Sequence, residues 1–204
     1  MGRHTHRPEP EPEPLRYAGF WKRLAASVWD VLLVGIPWFV AFRYSLRSSS
    51  TLYIAWSVGW PIIGSVVGLY LLARFGGTPG KLLQGIRVVQ LDGSPITWKH
   101  AVLRNSVDLV SSAYAVILFL AVVGKIDFEL VRALAPGPAE PLQAYWREIY
   151  PPWVYLVNKV DGLYTLSEAV VMLTNQRRRA IHDYIAGTVV VIKPRPKARR
   201  KHRR

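Results

Sequence analysis

The chain has 204 residues, half of them hydrophobic, and a formal net charge of +14. Its apolar residues form blocks that are too long for the core helices of a soluble protein, so we expect an integral membrane protein. The absence of cysteine excludes disulfides, thiolate nucleophiles and sulfur-ligated metals. The basic residues stand beside the apolar blocks, as the positive-inside rule describes, and we therefore expect no nucleic-acid partner.

The first apolar block carries a charged residue inside a predicted span. A Pro/Glu alternation favours a disordered arm over residues 1–16, and the span follows at residues 24–42. Arg23 stands at its mouth and Asp30 lies inside, seven residues later and therefore on the same helical face. Placing an ionised side chain at this depth in the bilayer costs free energy. Asp30 either pairs with a basic residue of another helix or takes part in moving an ion or a proton.

The second predicted span, residues 52–73, has a face of small residues. Gly64 and Gly68 are four residues apart, a spacing that lets two helix backbones approach closely, so we interpret them as a helix-packing face. A polar segment follows and includes a predicted short strand, residues 86–91, which ends at an Asp-Gly turn. Its glycines and lysine do not have the spacing of a phosphate-binding loop.

The third predicted span, residues 104–124, again begins with charges. Arg104 and Asp108 are four residues apart, which suits a local ion pair at the interface. Residues 125–152 are Pro-rich and of mixed charge, and they include FELVRALA and LQAYWREIY. These two stretches fit short amphipathic helices, so we expect an extracytoplasmic helical insertion.

The fourth predicted span, residues 153–173, carries an acidic stripe that includes Asp161 and Glu168. A helix lying on the membrane surface is the alternative, because placing several charged side chains within a span costs free energy. The β-branched run that ends at Val191 could pair with the first strand. The tail, residues 193–204, is strongly basic and should attract anionic lipid.

Charge asymmetry predicts the topology. With four spans and both termini cytoplasmic, 21 of the 27 Lys and Arg residues lie on the inner side. Helical rise then places Asp30, Asp108 and Glu168 about 5 to 9 Å to the inner side of the bilayer centre. Asp161 lies slightly to the other side. We therefore expect acids from three helices to converge and, together with Asp161, to bind a proton or a cation. Alternatively, Arg23 and Arg104 neutralise two of them.

Four segments in this order resemble the RDD family of bacterial membrane proteins, which is named for one arginine and two aspartates: GFWKRLAASVWD, GGTPGKLLQGIRVVQLDG, AVLRNSVDLV and QRRRAIHDYIAGTVVV. The resemblance covers residues 17–192. It implies that the arginine is Arg23 and the first aspartate Asp30, with Asp183 as the second and Asp108 as its rival. We interpret Arg23, Arg104 and Asp183 as charge-pairing residues. The resemblance also implies transport, including sodium or lithium against proton exchange in some members. The 28-residue insertion departs from the shorter family pattern.

Two functional hypotheses follow. The first is a homo-oligomeric transporter of the bacterial inner membrane that exchanges a monovalent cation for a proton. Its fold would be an all-α, four-helix transmembrane bundle with a short cytoplasmic β segment. The second is a non-transporting adaptor or assembly factor that binds lipid or partner proteins, with structural ion pairs. We expect no enzyme, cofactor or metal, because no catalytic set, nucleotide loop or metal-ligand spacing is present.

Overall fold

The computed structural model describes residues 14–193, which excludes most of the predicted arm and basic tail. The first long helix has three parts: α1 (Phe20–Asp30), a π-helical turn (Val31–Gly35) and α2 (Ile36–Ser48). The π turn precedes Pro37, whose missing N–H leaves a carbonyl one turn earlier without its usual donor. The π turn directly follows Asp30, the acid predicted to lie within the span.

The second long helix, α3 (Ser50–Phe75), has a capping residue at each end. The Ser49 hydroxyl accepts a hydrogen bond from the Leu52 amide over 3.1 Å. Gly76 ends the helix in the left-handed region, with φ 76°, and its amide bonds to the Leu72 carbonyl. The helix is followed by α4 (Pro79–Leu83) and β1 (Ile86–Gln90).

The third apolar segment begins later than predicted. Helix α5 (Trp98–Arg104) ends at Arg104, and α6 (Ser106–Val122) begins after a break at Asn105, where φ is −96° and ψ is 14°. The insertion then forms α7 (Phe128–Leu134) and α8 (Ala139–Ile149), the two short helices predicted from the sequence. The chain continues as α9 (Trp153–Thr174), α10 (Ile181–Ala186) and β2 (Thr188–Ile192).

Among the described residues, three helical segments are long and apolar enough to cross a membrane: Phe20–Ser48, Ser50–Leu83 and Ser106–Lys125. Large apolar side chains are exposed along them, such as Val66 at 61% and Ile117 at 68%. This pattern suggests a membrane protein, in which these side chains face lipid. Helix α9 has 22 residues but is not one of the three segments, so its role as a fourth span stays a prediction.

Two apolar cores lie at opposite ends of the long helices. The ribbon end contains β1 and β2, which pair antiparallel with Ile86 opposite Ile192, so the predicted strand pairing is confirmed. A hydrogen bond from the Ala18 amide to the Val190 carbonyl lays the N-terminal segment along β2. The cap end contains α7 and α8, whose buried residues pack with Tyr53 and Phe119. Most of the predicted charged site residues lie toward the ribbon end.

Candidate functional site

A fully buried carboxylate, Asp183, lies at the centre of the ribbon end. Its Oδ2 accepts a hydrogen bond from Arg23 Nη1 over 3.0 Å, and its Oδ1 accepts one from Arg104 Nη1. Two further donors complete its environment: the Ala180 amide at 3.0 Å and the Thr188 hydroxyl at 3.3 Å. Both carboxylate oxygens are therefore occupied, and two guanidinium groups balance the buried charge.

Arg23 also joins α1 to the loop before α10. Its Nη2 donates to the Arg178 carbonyl over 2.6 Å, and its Nε donates to the Ala18 carbonyl over 3.2 Å. Arg178 itself has φ 52°, a left-handed conformation that a non-glycine residue rarely adopts. The guanidinium thus uses its several fixed donors to hold three separate segments together.

A second chain of contacts leads from Arg104 to α9. Arg104 Nη2 lies 2.6 Å from His182 Nε2, while His182 Nδ1 contacts a carboxylate oxygen of Glu168. Because arginine can only donate, Nε2 must accept, and these partners assign the proton to Nδ1, which donates to Glu168. Burial lowers the pKa of His182 to about 4, which keeps the ring neutral at pH 7. Glu168 is therefore engaged by a neutral imidazole.

Asp30 holds the glycine-rich segment against the first helix. It accepts hydrogen bonds from the Thr78 hydroxyl over 2.6 Å and from the Gly80 amide over 2.7 Å. Gly80 lies so close to α1 that an added Cβ would overlap the Ala26 carbonyl oxygen and come within 2.8 Å of Asp30 Cγ. Only glycine fits this position, so Asp30 and Gly80 together fix α4 on α1.

The predicted site residues are thus divided among different contacts. Arg23, Arg104 and Asp183, the residues interpreted as charge-pairing, form one ion network. Asp30 lies on the same helix as Arg23 but has different partners. Residues 14–193 contain no group of three His, Cys, Asp or Glu side chains that could hold a metal ion. Asp30 and Glu168 are each held by their own hydrogen-bond donors, while Glu168 and Asp161 lie close enough to Asp108 to repel its charge.

The local ion pair suggested for Arg104 and Asp108 does not form. The helix breaks at Asn105, between the two residues, and the Arg104 guanidinium contacts Asp183 instead. The i, i+4 argument requires one continuous helix, and that condition fails here. Asp108 is left exposed on α6, with no hydrogen bond or ion pair to any described residue.

Asp108 faces a cavity of about 480 Å³ between α3 and α6. Its charged end is lined by Lys81, Arg104 and Asp108, and its apolar end is lined by Trp60 and Pro61. The lining of α3 extends from Trp60 to Leu72, and twelve residues of helix span about 18 Å. The cavity is therefore long enough to reach from the ribbon end to the middle of the apolar helices.

The predicted helix-packing face lines this cavity. Gly64 and Gly68 both border it, and a Cβ added at Gly68 would meet no atom within 4 Å. At Gly64 the nearest neighbour of such a Cβ is the Trp60 side chain at 3.8 Å. No other helix of the described chain packs directly on these glycines. Their predicted role in contacting a second copy stays a prediction.

Lys81 is the site residue that the sequence did not single out. It is half-buried, lines the cavity together with Asp108, and attracts that carboxylate. Within residues 14–193 its ammonium group makes no hydrogen bond or ion pair.

Asp161, another predicted ion-binding residue, is exposed on α9 and does not line the cavity. His182 was also not identified from the sequence. The one signal in the sequence was that this residue directly precedes Asp183.

The fold and the site together define a helical membrane protein whose ribbon end is held by a buried arginine–aspartate network. The family model described as the RDD family matches residues 17–187. The chain therefore belongs to the RDD family. No curated protein and no solved structure gave a significant match.

Proposed function

We propose that this protein is a small transporter that exchanges a monovalent cation for a proton, with the cavity between α3 and α6 as its ion-binding chamber. One observation carries the proposal: Asp108 and Lys81 line the same cavity, and neither has a partner among the described residues. A cavity with an available carboxylate in an apolar protein suits reversible ion binding.

The other predicted acids are less suited to this role. A carboxylate that exchanges ions needs oxygen lone pairs that are open to the incoming ion. Those of Asp30 accept from Thr78 and Gly80, and those of Asp183 accept from two arginines and two further donors. Glu168 is bound by both the ring and the amide of His182. The proposal therefore narrows the predicted set of ion-binding acids to Asp108.

In the proposed cycle, Asp108 binds a proton in one half and a cation in the other. Lys81 supplies the positive charge that stabilises the ionised carboxylate when the cavity is empty. Hard monovalent cations prefer oxygen ligands, and Ser111 and Ser112 line the cavity near Asp108. A bound proton and a bound monovalent cation each add one positive charge, so their one-for-one exchange leaves the charge of the chamber unchanged.

The proposed topology follows the charge distribution. The ribbon end faces the cytoplasm and the cap end faces outward, with α9 as a fourth span and both termini inside, in a bacterial cell membrane. A bundle of four spans encloses a pathway poorly, and no other helix within residues 14–193 covers the small-residue face at Gly64 and Gly68. A second copy of the chain on that face would complete the wall of the chamber.

Cation-driven proton flux in proteoliposomes tests the proposal. Purified protein is reconstituted with a pH-sensitive dye inside, and Na⁺, Li⁺ and K⁺ gradients are applied across a range of pH. We expect flux from the wild type and none from Asp108→Asn. Glu148→Gln is the matched control, because it removes an exposed acid of α8 that lies outside the cavity. Unchanged flux in Asp108→Asn would remove the proposed role of this carboxylate.

The adaptor hypothesis is favoured by a different observation, the structural use of Arg23, Asp30, Arg104 and Asp183. In that case the charges hold the ribbon end together, and the cavity carries no ion. The same assay separates the two functions. Absence of flux for all three cations, from protein that is folded and correctly inserted, would favour the adaptor.

A further inference from the structure

A second cavity, of about 800 Å³, lies at the ribbon end and is lined by basic side chains. Four cations border it: Arg16, Lys22, Arg87 and Lys193. They come from four different segments of the chain, namely the residues before α1, the first turn of α1, β1 and the residue after β2. Within residues 14–193, no acidic residue lines it. This cavity is separate from the chamber proposed for ion exchange, and none of its lining residues is shared with that chamber.

The β-ribbon positions these cations. Ile86 and Val88 of β1 are buried against the core, so the alternation of the strand turns Arg87 and Val89 to the opposite face. Val191 of β2 lies directly opposite Arg87 and also lines the cavity. The Lys193 amide donates to the Gly85 carbonyl over 2.8 Å, which extends the pairing to the end of the described chain.

The N-terminal segment forms another wall. The Ile192 amide donates to the Arg16 carbonyl over 2.8 Å, which holds this segment beside β2. Leu15 lies against the turn after β1, where Gly93 has φ 87°. A Cβ added at Gly93 would come within 3.0 Å of the Leu15 side chain, so the absence of a side chain lets the segment pack closely.

The four cations lack counter-charges in residues 14–193. None of their side chains takes part in an ion pair or a side-chain hydrogen bond there. Asp92, five residues after Arg87, accepts from the amide and the hydroxyl of Ser94 at 2.9 and 2.7 Å. Positive groups gathered in one concave surface produce a local potential that concentrates anions.

The position of the cavity fits the level of lipid headgroups. Lys22 lies in the first turn of the first apolar helix, and its neighbour Trp21 is 77% exposed. Exposed tryptophan at the end of a membrane helix prefers the interface between hydrocarbon and water. The phosphates of surrounding lipids lie at this depth, and so do soluble phosphates that approach from the aqueous side.

We infer that this cavity binds a phosphate-bearing anion through Arg16, Lys22, Arg87 and Lys193. Arginine pairs two phosphate oxygens at once and lysine adds a point charge, so the set is suited to a phosphate group. The headgroup of an anionic phospholipid and a soluble phosphate compound present the same chemistry. The inference stands apart from the ion-exchange proposal and holds whether or not the protein transports ions.

Binding measurements on the full chain in neutral detergent test the inference. Native mass spectrometry measures binding of phosphatidylglycerol and of phosphatidylcholine, and calorimetry measures binding of inorganic pyrophosphate. The cavity variant is Lys22→Gln with Arg87→Gln. The matched control is Arg74→Gln with Lys99→Gln, which removes the same charge from exposed positions outside the cavity. All four positions are exposed, so both variants should fold.

We expect one of the two phosphate probes to bind the wild type and the control alike. Each basic residue near such a surface contributes about fivefold in affinity, so the cavity variant should bind roughly 25-fold more weakly. Loss of phosphatidylglycerol binding in this variant identifies a lipid headgroup, and loss of pyrophosphate binding identifies a soluble phosphate. Equal affinities of the two variants, equal binding of phosphatidylcholine, or no binding of either phosphate probe would overturn the inference.

Discussion

Arg23 and Asp183 are 160 residues apart in the chain, yet Arg23 Nη1 donates to Asp183 Oδ2 over 3.0 Å. The contact joins the beginning of the first apolar helix to the short helix before the last strand. Arg104 binds the other carboxylate oxygen, so the three residues unite the two ends of the described chain with its centre. The network therefore links fold stability to a few buried charges.

Removal of the central charge should destabilise the protein strongly. Asp183→Asn leaves two buried guanidinium groups without their anion, and loss of one member of a buried pair costs about 3 to 5 kcal/mol. We expect a large fall in the unfolding midpoint of purified protein, followed in detergent by heating and size-exclusion chromatography. Asp161→Asn, at an exposed position, should change the free energy of unfolding by less than about 0.5 kcal/mol. Similar midpoints for the two variants would contradict the structural role of Asp183.

Gly80→Ala should separate α4 from α1. The new methyl group would overlap the Ala26 carbonyl, and backbone cannot move aside as a flexible side chain can. We expect a loss of at least about 2 kcal/mol in the free energy of unfolding. Gly162→Ala is the matched control, because a Cβ there meets no atom within 4 Å and alanine is the better helix former. That control should be neutral or stabilising, and equal losses at both glycines would argue against the close packing of α4.

Asp30 and Thr78 should be energetically coupled. Asp30→Asn removes one acceptor oxygen and the charge, while Thr78→Val removes the donor, so each variant should lose about 1 to 3 kcal/mol. Because both changes break the same hydrogen bond, the double variant should lose less than the sum of the two single losses. A double-mutant cycle of unfolding free energies measures this coupling. Fully additive losses would mean that the hydrogen bond contributes little.

The neutral His182 predicts a dependence of stability on pH. Its pKa is lowered by burial to about 4 in the folded protein, against about 6.5 in an unfolded chain. Between these values the unfolded state binds more protons, so the contribution present above pH 6.5 is lost as the pH falls toward 4. Unfolding midpoints measured from pH 7.5 to pH 4.5 should fall more steeply for the wild type than for His182→Gln. Parallel curves would show that the ring titrates alike in both states.

Local sequence patterns predicted a substantial part of this fold. The alternation and β-branching of the two short runs predicted their pairing, and the amphipathic stretches of the insertion predicted α7 and α8. These features depend on nearby residues or on a distinctive composition. The motif residues Arg23 and Asp183 were also expected to take part in charge pairing, and the ion network contains both.

The partners of the charges were harder to predict, because helical rise fixes the depth of a side chain but not the direction in which its helix faces. Asp30, Asp108 and Glu168 were expected to converge on this basis, whereas the separate hydrogen-bond partners of Asp30 and Glu168 were not predicted. The predicted partner of Arg104 was Asp108, four residues away. The observed partner is Asp183, 79 residues away, and this contact depends on the break at Asn105. Such long-range choices depend on how all segments pack together.

The long sequence separation of Arg23 and Asp183 also sets an order of events during synthesis. A ribosome adds about 5 to 20 residues per second, so roughly 8 to 30 seconds pass between the translation of the arginine and that of its partner. During this time the three long apolar helical segments of the described chain can form while the guanidinium group has no carboxylate partner. Docking of α10 then withdraws this charge from water, so the ribbon end cannot close before α10 has been synthesised.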